Sequence, residues 1–489
     1  MGIIRTQSIK NSINLYIGII IGAINTILVF PFVFEANPEY WGLLQLLVSY
    51  SIVISSFSHL GGPSILIRYF PKIHDKGKLI SFSLFLSLVG FLLFFFIFSV
   101  FKDYLLSELK LNLLLSDNFH FIAILVFSII FFEIFNSLSK SFLDSTTPVF
   151  LNEVALRFYI LVLLVCYHFK LFDFSFMLSA YVAGYFFQLL IILFLQFKHH
   201  RITFSFKWNI IEIKSQIKYG VYVISGGGAA ALVARLDMIM IEYFMDLKQV
   251  AYYGLAFFIA SVIKTPSRSI AAISSPLLAK AFEQNNSTEI KDIYRKSSIN
   301  LLIIGALLFL GIWLNIDEIL SILPEKFQQG KQVIFYIGLA QIFNLMTGVN
   351  GLIIINSDFY KLDLYLNILL VVLTIIINVL LIPVYGIEGA AMATATSLFI
   401  YNFLKLLVVK VKINVQPFSF NTYKVIALAC IVYFLVPVIP LDFSNDFFSI
   451  IIRSIIIVLL YSIPILYFNL SDDITQFVQN TYAKLRYNK

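Results

Sequence analysis

The sequence predicts an all-α, polytopic membrane protein of about fourteen transmembrane helices. Three observations predict it. Hydrophobic residues make up 60% of the chain and charged residues only 13%, where soluble domains carry about 25% charge, and mean hydropathy is +0.91. Apolar stretches recur from Ile13 to Leu470 with short interruptions, each near the roughly 20 residues needed to cross about 30 Å of hydrocarbon. These stretches are unbroken runs of Leu, Ile and Phe, not the short alternating segments of a transmembrane β-barrel.

Taken in order, the predicted spans cover 13–34, 41–67, 79–101, 118–139, 149–169, 174–197, 219–243, 250–275, 299–316, 332–356, 364–384, 386–404, 425–441 and 447–469. Arg5 and Lys10 precede the first, as in a secretory leader. That span is longer than a leader's apolar region and no small-x-small cleavage site follows it, so it reads as an uncleaved helix. Cys166 and Cys430, the two cysteines, each fall inside an apolar run and suggest neither a disulfide framework nor a metal site. The longest loops are about 21 residues, too short to house a catalytic domain.

The net charge of +8 is distributed along the membrane normal, which argues against nucleic acid as a partner. With the N-terminus in the cytoplasm, 24 of the 35 Lys and Arg fall in cytoplasmic segments, 6 in external loops and 5 within spans. That bias sets the orientation. Arg68, Lys72, Lys76 and Lys78, and the loop from Lys198 to Lys218, supply most of it. External turns carry acids instead: Glu35 and Glu39, Asp317 and Glu318, Asp442 and Asp446. An even number of crossings returns the C-terminus to the cytoplasm, with Lys484, Arg486 and Lys489.

A faint internal repeat organises the spans. Tyr40-Trp41-Gly42-Leu43 opens span 2, and Tyr252-Tyr253-Gly254-Leu255 opens span 8, 212 residues later; Arg68 and Lys280 recur at the same offset. Six spans separate the copies, so two bundles of the same topology are expected, a transporter plan. The expected organisation is a six-helix bundle at 1–197, a cytoplasmic linker at 198–218, a second six-helix bundle at 219–410, and two further helices with a tail at 411–489.

Charges within spans are the candidate functional groups, since each costs about 2.5–3.5 kcal/mol on insertion scales. There are ten: Glu133, Glu153, Asp237, Glu242, Glu388, Arg157, Arg235, Lys264, Arg268 and Arg453. Glu153, Glu242, Glu388 and Arg453 lie near span ends and read as interfacial. Lys264 and Arg268 share a helix face at i and i+4, and two cations on one face call for an anion between them, such as a diphosphate. Pro266 between them breaks the helix ladder and is a candidate hinge. Arg235 and Asp237 point to different sides of span 7, so at least one meets the bundle interior. The preceding run Gly226–Ala231 allows close helix contact or a break; it lacks the strand-turn-helix context of a phosphate loop. Arg157 and Glu133 are a candidate charge pair.

Catalytic constellations are weak or absent. The six histidines have no metal-ligand spacing, and Asp472-Asp473 after Ser471 reads as a helix N-terminal acid pair. No ATP-binding signature appears, so no cofactor is expected and the energy source would be an ion gradient, a substrate gradient or a partner. A carrier rather than an enzyme is expected.

Three stretches carry a family resemblance. Gly61-Gly62-Pro63 is followed by Arg68-Tyr69-Phe70-Pro71; Asp237-Met238-Ile239-Met240-Ile241 precedes Tyr253, Gly254, Ala256 and Pro266; and Asn378, Pro383, Tyr385-Gly386-Ile387 and Gly389-Ala390-Ala391-Met392-Ala393-Thr394 form the third. Together with the span count, they resemble the Wzx-like polysaccharide-biosynthesis flippases of the multidrug/oligosaccharidyl-lipid/polysaccharide (MOP) exporter superfamily. The resemblance implies a MATE-like fold of two six-helix bundles plus two helices. It further implies export of an undecaprenyl-diphosphate-linked oligosaccharide across the bacterial cytoplasmic membrane, beside the polymerase and glycosyltransferases of the same pathway. A cationic cavity lined by spans 1, 2, 7 and 8 is implied, and Arg235, Lys264 and Arg268 lie on two of those spans. Span 1 departs from the pattern, carrying only Asn14 and Asn25 where some relatives have cations. Two alternatives remain: a cation-coupled multidrug exporter, for which Asp237 and Glu133 are the acids, and a membrane-bound polymerase, which would be expected to carry a large external loop.

Overall fold

The computed structural model describes residues 2–108, 112–200, 202–206, 210–439 and 446–487, and every regular element among them is helical. Asp442 and Lys489, and the side chains of Arg5, Lys484 and Arg486, lie outside the described residues. The membrane helices are α1 (Lys10–Val33), α2 (Pro38–Ser58), α3 (Lys76–Phe101), α4 (Phe121–Ser141), α5 (Thr146–His168), α6 (Phe174–His199) and α7 (Ile210–Phe244). Two more are bent: α8 (Leu247–Lys264 with Pro266–Glu283) and α10 (Glu325–Met346 with Asn350–Asn356), with α9 (Ser287–Trp313) between them.

Helix then continues from Tyr360 to Ile413, 54 residues, or about 80 Å at 1.5 Å per residue. That is more than twice the hydrocarbon thickness, so the segment has to turn back. It does so at Gly386, whose backbone (φ 59°, ψ −135°) is open to glycine and strained for any other residue. Pro383, three residues earlier, already lacks the N–H that would extend the ladder. The halves are α11 (360–385) and α12 (387–413), and they touch at Gly389, where a Cβ would lie 2.2 Å from the Leu381 carbonyl oxygen. With α13 (Phe420–Val438) and α14 (Asp446–Tyr467), fourteen helices long and apolar enough to span are present among the described residues. The protein is a multi-pass membrane protein.

The chain forms two compact units, Met1–Gly254 and Leu255–Lys489. In the first, α2 ends in an elbow: Leu60 (φ 47°) and Gly61 (φ 80°) turn the chain into a short helix, Gly62–Tyr69, with Pro63 in its first turn. The elbow rests on α7, because a Cβ on Gly61 would meet the Gly220 Cα at 2.5 Å. The guanidinium of Arg68 then lies over the Tyr219 ring at 4.1 Å. The run Gly226–Ala231 is unbroken helix, so the expected alternatives resolve to contact: Gly228 packs under the Phe57 ring. At the other end of α2, a Cβ on Gly42 would collide with the Leu247 carbonyl oxygen and one on Gly254 with the Gln45 amide. The two copies of the sequence motif thus pack against each other's neighbourhood.

In the second unit, α13 and α14 are packed on α9 through Leu302, Leu310, Val432, Ile457 and Tyr461. Lipid tails are as apolar as these side chains, so the join is held by close packing and polar contacts, not by exclusion from water. One polar contact is Arg453 on α14, which binds the Glu318 carboxylate and donates to the Leu314 carbonyl oxygen at 2.9 Å. Arg453 therefore ties α14 to the segment that follows α9.

Candidate functional site

In the first unit, a polar seam joins α1 to α5. Both helices widen to i→i+5 bonding, α1 at Ile24–Val29 and α5 at Phe150–Ala155, a local form that recurs at functional sites. Arg157 pairs through Nη2 with Glu153 Oε2 at 2.7 Å and donates through Nη1 to the Gly18 carbonyl oxygen. Buried Asn25 donates to the Arg157 carbonyl oxygen at 2.9 Å. The helices approach closely because Gly18 and Gly22 leave room; a Cβ on Gly22 would be 2.7 Å from Arg157 Nη1. The partner of Arg157 is thus Glu153, not Glu133 as expected, because Glu153 stands one turn away on the same helix. Glu133 instead accepts from Asn136 at 3.0 Å.

Arg235, half-buried on α7, lies within charge range of the Tyr181 and Tyr185 hydroxyls of α6, and Tyr185 in turn feels Arg157. The two tyrosine rings are 5.8 Å apart. Two residues on, Asp237 is buried and accepts from the Tyr253 hydroxyl, so the two charges of α7 do face different environments. Glu242, expected at the interface, is 6% exposed and accepts from the Asn112 N–H at 3.4 Å.

In the second unit, α8 tightens to a single 3₁₀ turn at Val262–Lys264 and restarts at Pro266, bending by 42°. Lys264 and Arg268 flank that bend and feel each other's charge. Among the described residues, no carboxylate lies within 4.0 Å of Lys264, Arg268 or Arg235. Two cations on one stretch of helix, with no carboxylate within 4.0 Å among the described residues, have the charge to meet an anion. Among the described residues, no group of three His, Cys, Asp or Glu side chains is placed to hold a metal ion.

One constellation escaped the sequence reading. Asp363 and Asn367 on α11 meet Tyr401 and Lys405 on α12: Lys405 Nζ lies 2.7 Å from Asp363 Oδ1 and 4.4 Å from the Tyr401 ring centroid. The predicted spans 364–384 and 386–404 stopped one residue short of each charge, so neither counted as intramembrane. The spacing of 42 residues gives no local signal of the pair.

Fourteen helices long and apolar enough to span, two of them bent by more than 40°, define a polytopic membrane protein among the described residues. The family profile described as polysaccharide biosynthesis protein matches residues 8–282, more than half of the chain, and the MatE profile matches residues 230–380. The chain belongs to the polysaccharide biosynthesis protein family. A probable low-salt glycan biosynthesis flippase, Agl15, of Haloferax volcanii is 26% identical over 194 residues, 40% of either chain. An uncharacterized membrane protein of Methanocaldococcus jannaschii is 26% identical over 220 residues, 42% of this chain and 41% of that one. The matches therefore span about two fifths of these curated relatives. Among solved structures, the lipid II flippase MurJ in an inward closed conformation has a TM-score of 0.77 at 16% identity, covering 94% of this chain and 99% of that one. An inward-facing multidrug MATE transporter of the MOP superfamily follows at 0.64 and 15%, covering 83% and 98%. At these identities the likeness is one of fold.

Proposed function

We propose that the protein is a flippase that moves an undecaprenyl-diphosphate-linked oligosaccharide, the repeat unit of an O-antigen, capsule or exopolysaccharide, from the cytoplasmic to the outer leaflet by alternating access. The observation that carries this reading is the pair Lys264 and Arg268, with no carboxylate within 4.0 Å of either among the described residues. An intramembrane cation is costly unless an anion meets it, and a diphosphate offers several oxygens to an arginine fork and an ammonium together. Arg235, in the first unit, is a further candidate contact for an anionic cargo. The family supports a glycan pathway, and relatives named as flippases support transport. The protein sits in the cytoplasmic membrane with both termini inside, following the distribution of Lys and Arg.

Lys264→Ala with Arg268→Ala tests the reading in cells whose surface glycan depends on this gene. Loss of export at unchanged protein level is the expected result. Unchanged export from the double variant would end the diphosphate assignment. A cation-coupled drug exporter has the same fold, and Asp237 and Glu133 are the acids it would use; cations with no carboxylate within 4.0 Å among the described residues favour the anionic cargo.

A further inference from the structure

The ring of Asp363, Asn367, Tyr401 and Lys405 has no part in the cargo contacts proposed above, and its geometry suits a different task. It is closed and electroneutral. Lys405 bonds Asp363, Asp363 Oδ2 accepts from Asn367 Nδ2 at 2.9 Å, Asn367 Oδ1 accepts from the Tyr401 hydroxyl at 2.7 Å, and the Tyr401 ring lies beside the Lys405 ammonium. Lys405 is buried, and the Asp363 side chain is 16% exposed.

The ring's position adds to this. Lys405 stands about 28 Å along α12 from Gly386, at 1.5 Å per residue, and Asp363 belongs to the first turn of α11. The α11–α12 hairpin is closed at one end by its covalent turn and at the other by this ion pair. The ammonium also touches α10: a Cβ on Gly351 would lie 3.1 Å from Lys405 Nζ. Gly351 sits just past the break of α10, where Gly348 has φ 61° and the axis bends by 47°. Three helices thus converge on one charge pair at a point where one of them is already interrupted.

A buried ion pair is a poor device for stability alone, since desolvation offsets most of the attraction and apolar packing serves as well or better. Its distinctive property is that it is either made or broken, with a large penalty for either charge left alone. We propose that Asp363 and Lys405 are the two halves of a latch that closes the open end of the α11–α12 hairpin on the α10 break, and that the latch opens in each transport cycle. Asn367 and Tyr401 hold the carboxylate and the ammonium in register. These are positioning residues that touch no cargo. The inference rests on the reading of the chain as a transporter and is independent of what is carried.

The test uses the full chain in nanodiscs without cargo, with Cys166→Ser, Cys430→Ser and spin labels at Lys361→Cys and Val411→Cys, two exposed positions on α11 and α12. Double electron–electron resonance is expected to give two distance populations. In Lys405→Met the longer one should rise at least threefold, and in the charge exchange Asp363→Lys with Lys405→Asp it should fall back toward the starting value. A single distribution unmoved by Lys405→Met would overturn the latch. Should Lys405→Met fail to accumulate, the neutral pair Asp363→Asn with Lys405→Met replaces it under the same criterion. Because no cargo is present, a failed cargo assignment leaves this readout standing. In a second arm, Asp363→Cys and Lys405→Cys are joined by a reducible bis-thiosulfonate, and flipping of a fluorescent polyprenyl-diphosphate disaccharide is followed in liposomes. Linking is expected to slow flipping more than tenfold relative to the unlinked protein, with recovery on reduction. Equal rates before and after linking would overturn the proposal; no flipping by the unlinked, otherwise unaltered chain would count against the cargo instead.

Discussion

Tyr253 donates its hydroxyl to Asp237 Oδ2 at 2.5 Å, with both side chains buried, and so fastens the opening turns of α8 to α7. A hydrogen bond to a buried carboxylate is charge-assisted and about twice as strong as a neutral one. Tyr253 belongs to the second copy of the sequence motif, where the first copy has Trp41, whose indole N–H reaches the Gln45 side chain at 2.9 Å instead.

Removing that donor should therefore cost more than removing the acid's charge with it. Tyr253→Phe is expected to lower unfolding stability by about 2 kcal/mol, the range for a bond to a charged group. Asp237→Asn with Tyr253→Phe should be less destabilised than Tyr253→Phe alone, because the carboxylate is then gone. Unfolding midpoints of the purified protein in detergent check the order of the three variants.

The seam between α1 and α5 gives a second expectation. Arg157→Met leaves Glu153 without its partner at a side chain only 16% exposed and should destabilise by about 2 kcal/mol, while Arg157→Met with Glu153→Gln should recover at least half of the loss. Glu133→Gln should leave stability near the starting value, since its contact is Asn136. A larger effect of Glu133→Gln than of Arg157→Met would contradict the pairing described.

These residues show how far the sequence could be read. The fourteen helices were legible because bilayer thickness sets a fixed length for apolar runs, and the return of the chain near Gly386 was legible in the boundary between the predicted spans 364–384 and 386–404. The Asp472-Asp473 pair was legible as well: it opens the helix Asp472–Tyr487, where Ser471 Oγ accepts from the Ile474 N–H at 3.3 Å. Glu153 and Arg157 stand at i and i+4, so their pair was present in the spacing, yet a span-end position drew Glu153 toward an interfacial reading. Contacts such as Arg453 with Glu318, 135 residues apart, depend on which helices become neighbours, and no local pattern reports that. Asp363 and Lys405 were lost to one residue of boundary at each span end, which is within the ordinary scatter of helix limits.

The turn itself is open to test. Gly386→Ala forces a Cβ into a backbone conformation that costs about 1–3 kcal/mol for a non-glycine residue, and Gly389→Val drives a side chain into the Leu381 carbonyl. Both are expected to lower the amount of folded protein recovered from membranes, with Gly389→Ala milder than Gly389→Val. Size-exclusion profiles and thermal midpoints of the variants measure this directly.

The bend of α8 supplies the last expectation. Around it the Thr265 N–H bonds the Val262 carbonyl at 3.0 Å and the Arg268 N–H bonds the Thr265 carbonyl at 3.2 Å, both tight i→i+3 contacts, and Pro266 has no N–H to continue the regular ladder. Pro266→Ala restores a donor that can bond the Val262 carbonyl, so the 42° bend should relax toward straight helix. Lys264 and Arg268 keep their charges in this variant but lose their present arrangement. If that arrangement is what receives the diphosphate, the Kd for a short polyprenyl diphosphate should rise about tenfold, or 1.4 kcal/mol, at unchanged protein level and thermal midpoint. Lys264→Gln with Arg268→Gln should abolish the same binding whether or not Pro266 is present. Tight binding by Pro266→Ala together with its loss in the glutamine variant would assign recognition to the charges alone and leave the bend to the conformational cycle.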